Sequence, residues 1–257
     1  MTRPLVSPGP QLTAEQRERY ARPMLLPGIG EEGQRRFLAA RVLVIGAGGL
    51  GSPALLYLAG QGIGHLGIVD SDVLESSNLH RQVIHAVAAI GRAKVDSAAE
   101  RVRGLNPDVE VAIYRERLTQ ERAVELFGEY DVVVDATDNF ATRYLINAAA
   151  TETGVPEVWG SVLGATGQVS TFWSGAAAAA HGTPDVRLTD LHPAPPADGV
   201  IPVGAASPVI GPLTGMVGSL MAGEVTKLVA GYGEPLLGRV AYLDTAAAEF
   251  RDIQFKK

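Results

Sequence analysis

The sequence predicts an α/β protein built on a doubly wound sheet. Its N-terminal part is parallel and continues into a mixed or antiparallel C-terminal part. Three observations carry this reading. Short apolar runs alternate with helix-like stretches between residues 41 and 160. The first run, Val42 to Ile45, leads straight into Gly46-x-Gly48-x-x-Gly51 and a helical stretch, the order of a Rossmann-like unit. Beyond residue 160 the alternation gives way to successive strand patterns and one long apolar helix. The chain therefore divides into an N-terminal helical arm (1–40), a nucleotide-binding half (41–160) and a C-terminal half (161–257). The last holds a crossover loop (174–207), the long helix and closing strands, within the same domain.

In the arm, residues 1–10 carry three prolines and a glycine and are expected to be disordered. Thr13-Ala-Glu-Gln16 is a capping box opening a helix through Tyr20, with Pro23 expected to close it. Arg19, Arg22, Arg35 and Arg36 read as solvated side chains, and Glu31–Ala39 as a second helix. Strands follow at 41–45 and at 65–69, the latter ending at Asp70, 19 positions after Gly51, where a carboxylate can grip a ribose hydroxyl. Residues 71–82 are polar and aperiodic, a loop. Gly91–Leu105 reads as a helix with Lys94 in its first turn, a place where a cation is disfavoured unless an anion stands nearby. Further strands are expected at 109–114 and 131–135, with a helix at 120–127 between them. The second strand delivers Asp138 and Asn139 at its C-terminal end, the side where open parallel sheets bind ligands. Asn139 also suits the N-cap of the next helix. Strands at 156–160 and 165–173, the loop, a buried helix at 212–230 and strands at 239–243 and 249–255 complete the chain.

Composition narrows the function. A net charge of −6 disfavours nucleic-acid binding, which needs a basic surface to neutralise phosphates. No stretch reaches the ~18 apolar residues of a membrane helix, and the N-terminus leads into no apolar signal core, so a cytoplasmic protein is expected. The chain has no cysteine, which excludes disulfides, thiolate zinc ligands and cysteine nucleophiles in it.

A glycine loop with Asp70 also fits a nicotinamide-dependent dehydrogenase. That enzyme, however, needs an apolar nicotinamide slot and a proton donor, whereas Asn78, Arg81, Gln82 and Lys94 form a polar, cationic set. Two cations with an aspartate at a strand end suit a triphosphate with magnesium.

These residues carry a family resemblance. Arg19-Tyr-Ala-Arg22, Gly46–Gly51, Asp70-Ser-Asp72, Ser77-Asn-Leu-His-Arg-Gln82, Gly91-Arg-Ala-Lys94, Leu105-Asn-Pro, Thr137-Asp-Asn139 with Arg143, Gly167-Gln-Val, Gly211-Pro-Leu and Gly218-Ser-Leu follow in order. Over residues 12–255 the chain resembles the MoeB/ThiF branch of the ubiquitin-activating-enzyme superfamily. The resemblance implies ATP and Mg2+ as cofactors. It implies adenylation of the C-terminal Gly-Gly carboxylate of a ubiquitin-like sulfur-carrier protein. It assigns Arg81 and Lys94 to the phosphates, Asp70 to the ribose and Asp138 to the magnesium. Gly46, Gly48, Gly49, Gly51, Asp72, Asn78, Gln82 and Asn139 fall beside the nucleotide. Arg22 matches an arginine that reaches into the neighbouring subunit of a homodimer.

The chain also departs from the pattern. Pro23 stands where the family usually has glutamine after that arginine. Arg187 and Asp190 occupy the positions of the first zinc-binding cysteine pair, and the second pair would fall just beyond Phe255, so no zinc is expected. Gly204 aligns with the family's reactive cysteine. An adenylating enzyme without a covalent cysteine intermediate follows. Adenylation of a short peptide and a non-catalytic carrier-binding scaffold are the alternatives; retention of Arg22, Arg81, Lys94 and Asp138 weighs against the scaffold.

Overall fold

A computed structural model describes residues 3–197, 200 and 207–256. Eight strands form one sheet in the order β3-β2-β1-β4-β5-β6-β7-β8. Strands β1 (Arg41–Ile45), β2 (His65–Val69), β3 (Glu110–Tyr114), β4 (Val132–Asp135) and β5 (Glu157–Leu163) are parallel. From β5 onwards the ladder turns antiparallel through β6 (Thr166–Phe172), β7 (Arg239–Asp244) and β8 (Glu249–Gln254). The chain builds β2 and β3 on one side of β1 and then returns to lay β4 and β5 on the other. The order reverses between β1 and β4, which opens a crevice beyond their C-terminal ends.

Alternation along β1 explains the two layers. Val42 and Val44 face a core closed by α3 (Gly30–Ala39), α4 (Gly51–Gln61), α5 (Lys94–Leu105) and α10 (Gly211–Ala230). Leu43 and Ile45 face α6 (Gln120–Phe127) and α7 (Phe140–Thr153). A strand buried on both faces needs a continuous apolar run, and β1 has one. Helix ends follow local chemistry. Thr13 makes the expected capping box at α1 (Ala14–Arg19), and Asn139 Oδ1 accepts from Thr142 N at 3.0 Å to start α7.

Several expectations are corrected. Pro23 does not close the first helix. It is the third residue of α2 (Ala21–Met24), where a backbone N–H would have no helical acceptor, and the break falls at Tyr20. The lead-in is docked from Leu5 onwards: Leu5 N donates to Leu228 O at 3.0 Å and Gly9 N to Arg35 O at 3.1 Å. Arg35 and Arg36 are not simply solvated, because Arg35 Nε donates to Gly9 O (2.8 Å) and Arg36 Nε to Val6 O (3.1 Å). The helix expected from Gly91 starts at Lys94, since Gly91 is left-handed (φ 85°) and its N–H bonds back to Leu74 O at 2.9 Å. The 71–82 loop contains a 3₁₀ turn at Ser76–Asn78. The 174–207 stretch holds α8 (Gly175–Ala180) and α9 (Leu188–Leu191). Gly204 lies outside the described residues.

Candidate functional site

The glycine loop sits where the strand order reverses. Gly46 has φ +100°, and a Cβ there would come 2.8 Å from Ala136 O on β4's exit. At Gly51 a Cβ would come 1.9 Å from Gly46 O, so the loop closes on itself only with glycine at both ends. Helix α4 starts at Gly51 with no side chain capping its first turn. Ser52 N donates to Gly48 O at 2.9 Å and Pro53 has no N–H, so the amide this helix start leaves to an anion is that of Gly51, next to those of the loop before it.

The β2 side supplies the next groups. Asp70 Oδ2 accepts from Ala47 N and Oδ1 from Asp72 N, each at 2.8 Å. Burial pushes the Asp70 carboxyl up, while the Lys94 charge and those two N–H donors pull the other way. Lys94 opens α5, and its Nζ lies 2.8 Å from Asp72 Oδ2. The anion that the helix position called for is thus Asp72. The pair is lopsided: the Lys94 side chain is 8% exposed and that of Asp72 58%. Asn78 is buried and its Oδ1 accepts from Glu75 N at 3.1 Å. Gln82 is buried with Oε1 unpartnered among the described residues. Arg81 Nη1 donates to Ser77 O at 3.2 Å.

Across the crevice, Asp138 is exposed at the end of β4. Beneath it lies a buried cluster. Asp135 Oδ1 accepts from Thr137 N (3.0 Å) and Oγ1 (2.7 Å), Arg143 Nη2 donates to Thr137 O (3.0 Å), and Asn147 Nδ2 donates to Glu157 Oε2 (2.7 Å). Arg143 also lies over the rings of Phe140 and Trp159, at 5.1 and 5.7 Å from their centroids. Burial pushes the Asp135 and Glu157 carboxyls up and the Arg143 guanidinium down.

These walls enclose a cavity of about 820 Å³. Every predicted site residue lines it except Gly51, which stands behind the loop, and Arg22, which is exposed on the arm. Glu116, Arg117 and Leu118 also line it, from the end of β3; the strand-end rule applied to β2 and β4 would have found them. His85, buried behind the loop, gave no such signal. A smaller cavity of about 160 Å³, walled by Phe140, Trp159 and His192, meets the first at Asp138 and Arg143. Among the described residues no group of three or more His, Cys, Asp or Glu could hold a metal ion, and no helix is long and apolar enough to cross a membrane.

A sequence profile of the ThiF family matches residues 20–257. A probable adenylyltransferase/sulfurtransferase MoeZ of Mycobacterium tuberculosis is 47% identical over 99% of this chain, which spans 64% of that protein. The sulfur carrier protein adenylyltransferase of Thermus thermophilus is 44% identical over 95% of the chain and 89% of its own length. The SAMP-activating enzyme E1 of Haloferax volcanii is 42% identical over 95% and 87% respectively. Among solved structures, the microcin C7 biosynthetic enzyme MccB of the complex with N-formylated MccA superposes with a TM-score of 0.80 at 18% identity, covering 96% of this chain and 75% of that one. PaaA superposes at 0.78 and 24%, covering 97% and 76%; both share the fold.

Proposed function

The chain belongs to the ThiF family, and on that footing we propose that it adenylates the C-terminal Gly-Gly carboxylate of a ubiquitin-like sulfur carrier. The observation that carries this reading is the convergence of Asp70, Lys94, Arg81 and Asp138 on one cavity at the glycine loop. The relatives named as sulfur-carrier and SAMP-activating enzymes support the substrate class.

A carboxylate oxygen of the tail attacks the α-phosphorus of ATP, the bond from that phosphorus to the bridging oxygen breaks, and pyrophosphate leaves with the electron pair. A C-terminal carboxylate, with a pKa of ~3.3, is already ionised, so no general base is needed. The site has to align the reactants and neutralise charge on the phosphates. Asp70 holds the ribose. The loop amides, Asn78 and Gln82 lie against the phosphates. Arg81 and Lys94 take the charge, Lys94 exchanging Asp72 for a phosphate oxygen while Asp72 stays in solvent. Asp138 suits Mg2+, since this ion takes one or two carboxylates and fills its shell with phosphate oxygens and water. A single exposed carboxylate on the wall, bonded to no described side chain, fits that demand. When bound, the ion would add to the neutralisation of the phosphates.

The smaller cavity, of about 160 Å³, is the approach for the tail, because it reaches the larger one beside Asp138. Arg22, outside the cavity of its own chain, works in the second subunit of a homodimer. A guanidinium suits that task because it stays charged and presents a planar fork to phosphate oxygens. With no cysteine in the chain, the acyl-adenylate is released or passed on without a covalent enzyme adduct. Cytosol is the setting that goes with ATP and such carriers.

ATP–pyrophosphate exchange tests the reading. Exchange is expected with an intact carrier and not with one lacking its terminal glycine. Exchange indifferent to the tail would overturn it, and exchange with a free tail peptide alone would move it to peptide activation. Arg22→Ala and Asp138→Ala are each expected to abolish exchange while the protein stays folded. Mixing the two should restore part of it, because one heterodimer site then has both residues intact. No recovery on mixing would remove the role of Arg22 across the interface.

A further inference from the structure

His85 lies outside the cavity lining, yet it touches the glycine loop. Its Nε2 is 2.9 Å from Ala47 O and its Nδ1 is 3.0 Å from Ser97 Oγ. A carbonyl oxygen only accepts, so Nε2 carries a proton, and in the neutral ring Nδ1 then accepts from the Ser97 hydroxyl. The same Ala47 gives its N–H to Asp70 Oδ2 at 2.8 Å. Both polar backbone groups of the loop's second residue are therefore held by side chains, one from the end of β2 and one from the 78–85 segment. Ser97 stands on α5, one turn beyond Lys94, and is itself buried. His85 N in turn donates to Gln82 O at 3.1 Å. One imidazole thus ties together the loop, the helix that carries Lys94 and the segment that carries Asn78, Arg81 and Gln82.

We propose that His85 is a positioning residue for nucleotide binding, holding the Ala47 carbonyl back so that the amides of Gly48, Gly49 and Leu50 are set for the phosphates. This rests on the reading of the cavity as an ATP site. The Ala47 carbonyl shares one peptide plane with the Gly48 N–H, so fixing that carbonyl fixes the direction of the Gly48 amide, from which the loop runs on to Gly49 and Leu50. Without the imidazole donor the buried carbonyl would lack its partner, and the loop would gain a reason to rotate that carbonyl towards the water of the cavity. Burial, with the Lys94 charge adding to it, pushes the His85 pKa below its ordinary value, which keeps the ring in the neutral, single-donor form that this geometry uses.

The test compares two amide substitutions that remove the same ring. In His85→Gln the amide nitrogen reaches the place of Nε2 and can still donate to Ala47 O. In His85→Asn it is one bond shorter and reaches only the place of Nδ1, beside Ser97. Binding of ATP and of adenosine, without any carrier, is measured for the parent and both variants, with thermal melting alongside. The expected result is an ATP Kd within about threefold of the parent for His85→Gln and about tenfold weaker for His85→Asn. Adenosine, which has no phosphate to meet the loop, should bind all three alike. A purely structural role would lower both melting temperatures and leave the two ATP affinities equal, and that outcome overturns the proposal. Equal losses for ATP and adenosine overturn it as well. A parent that binds adenosine but gains nothing from the phosphates removes the ATP reading itself, and the proposal with it.

Discussion

At the end of β2, Lys94 reaches into the cavity while its partner Asp72 stands largely in solvent. At the end of β4, Arg143 lies buried beneath Asp138, at the edge of the cavity, beside Asp135 and Glu157, neither of which meets water. The two cations come from the same kind of position, a helix following a parallel strand, but they are held for different ends. A half-exposed ion pair is worth about 1 kcal/mol or less, so Lys94 can leave Asp72 for a phosphate at little cost. The Arg143 cluster has no such exit. Among the described residues its carboxyls have no other cation to turn to, and its guanidinium is bonded to the Thr137 carbonyl just before Asp138. On the proposed reading, one wall keeps charge ready for a ligand; the other uses charge to fix the backbone from which Asp138 projects.

The largest expected effect comes from breaking the sealed side. Arg143→Leu leaves two buried carboxyls without their cation and should cost about 3 kcal/mol or more of stability, read by chemical denaturation. A loss below about 1 kcal/mol would mean that both carboxyls are neutral and that the cluster is held by hydrogen bonds alone. Lys94→Met should do the reverse. Stability should change by less than about 1 kcal/mol, since Asp72 is already solvated. ATP–pyrophosphate exchange should fall by about 100-fold or more, as for other losses of transition-state charge stabilisation. Comparable exchange rates in parent and variant would make the Lys94–Asp72 pair purely structural.

The smallest effect sharpens the contrast through pH. The folded Glu157 carboxyl holds its proton to a higher pH than the same group in the unfolded chain, chiefly through burial and then through the nearby Asp135. Between the two values the folded state binds more protons, so this group's contribution to stability falls as pH rises through that interval. Glu157→Gln removes the titration while keeping an acceptor for Asn147. Its melting temperature should therefore exceed the parent's by more near pH ~8 than near pH ~4, where Glu157 is largely protonated in both states. A difference that does not change with pH would mean the buried carboxyl does not titrate separately from Asp135 and Arg143.

Much of the first wall was legible in the chain, because its logic is local. A glycine pattern after an apolar run, an acid at the end of the next strand and a lysine in the wrong turn of a helix are all short-range signals. The lysine even required its own explanation, and Asp72 supplies it. Caps at Thr13 and Asn139 were legible for the same reason. The second wall was legible only at its rim, where the strand end gave Asp138 and Asn139 and the motif included Arg143. Asn147 and Glu157 look like ordinary polar residues on a helix and a strand, and only the pairing of β4 with β5 brings them under Asp138. His85 is similar, since its partners Ala47 and Ser97 lie 38 positions before and 12 after it. Pro23 misled because a proline that stops one helix also fits the first turn of another. The docking of the lead-in depends on carbonyls of a proline-rich segment meeting Arg35 and Arg36, a contact invisible to composition.

Helix α4 runs from Gly51 to Gln61, about 16 Å at the usual rise per residue. One end touches the glycine loop, and the other closes at Gly62, where a Cβ would come 2.6 Å from the hydroxyl of Tyr20. Tyr20 is in turn held by Asn106 Nδ2 at 2.8 Å, and it immediately precedes the short helix that carries Arg22. The arm therefore rests on the far end of the same rod whose near end meets the nucleotide loop. A side chain added at Gly62 would press on Tyr20 and so on the arm; if Arg22 acts across a dimer as proposed, such a variant is expected to bind ATP like the parent and to lose ATP–pyrophosphate exchange.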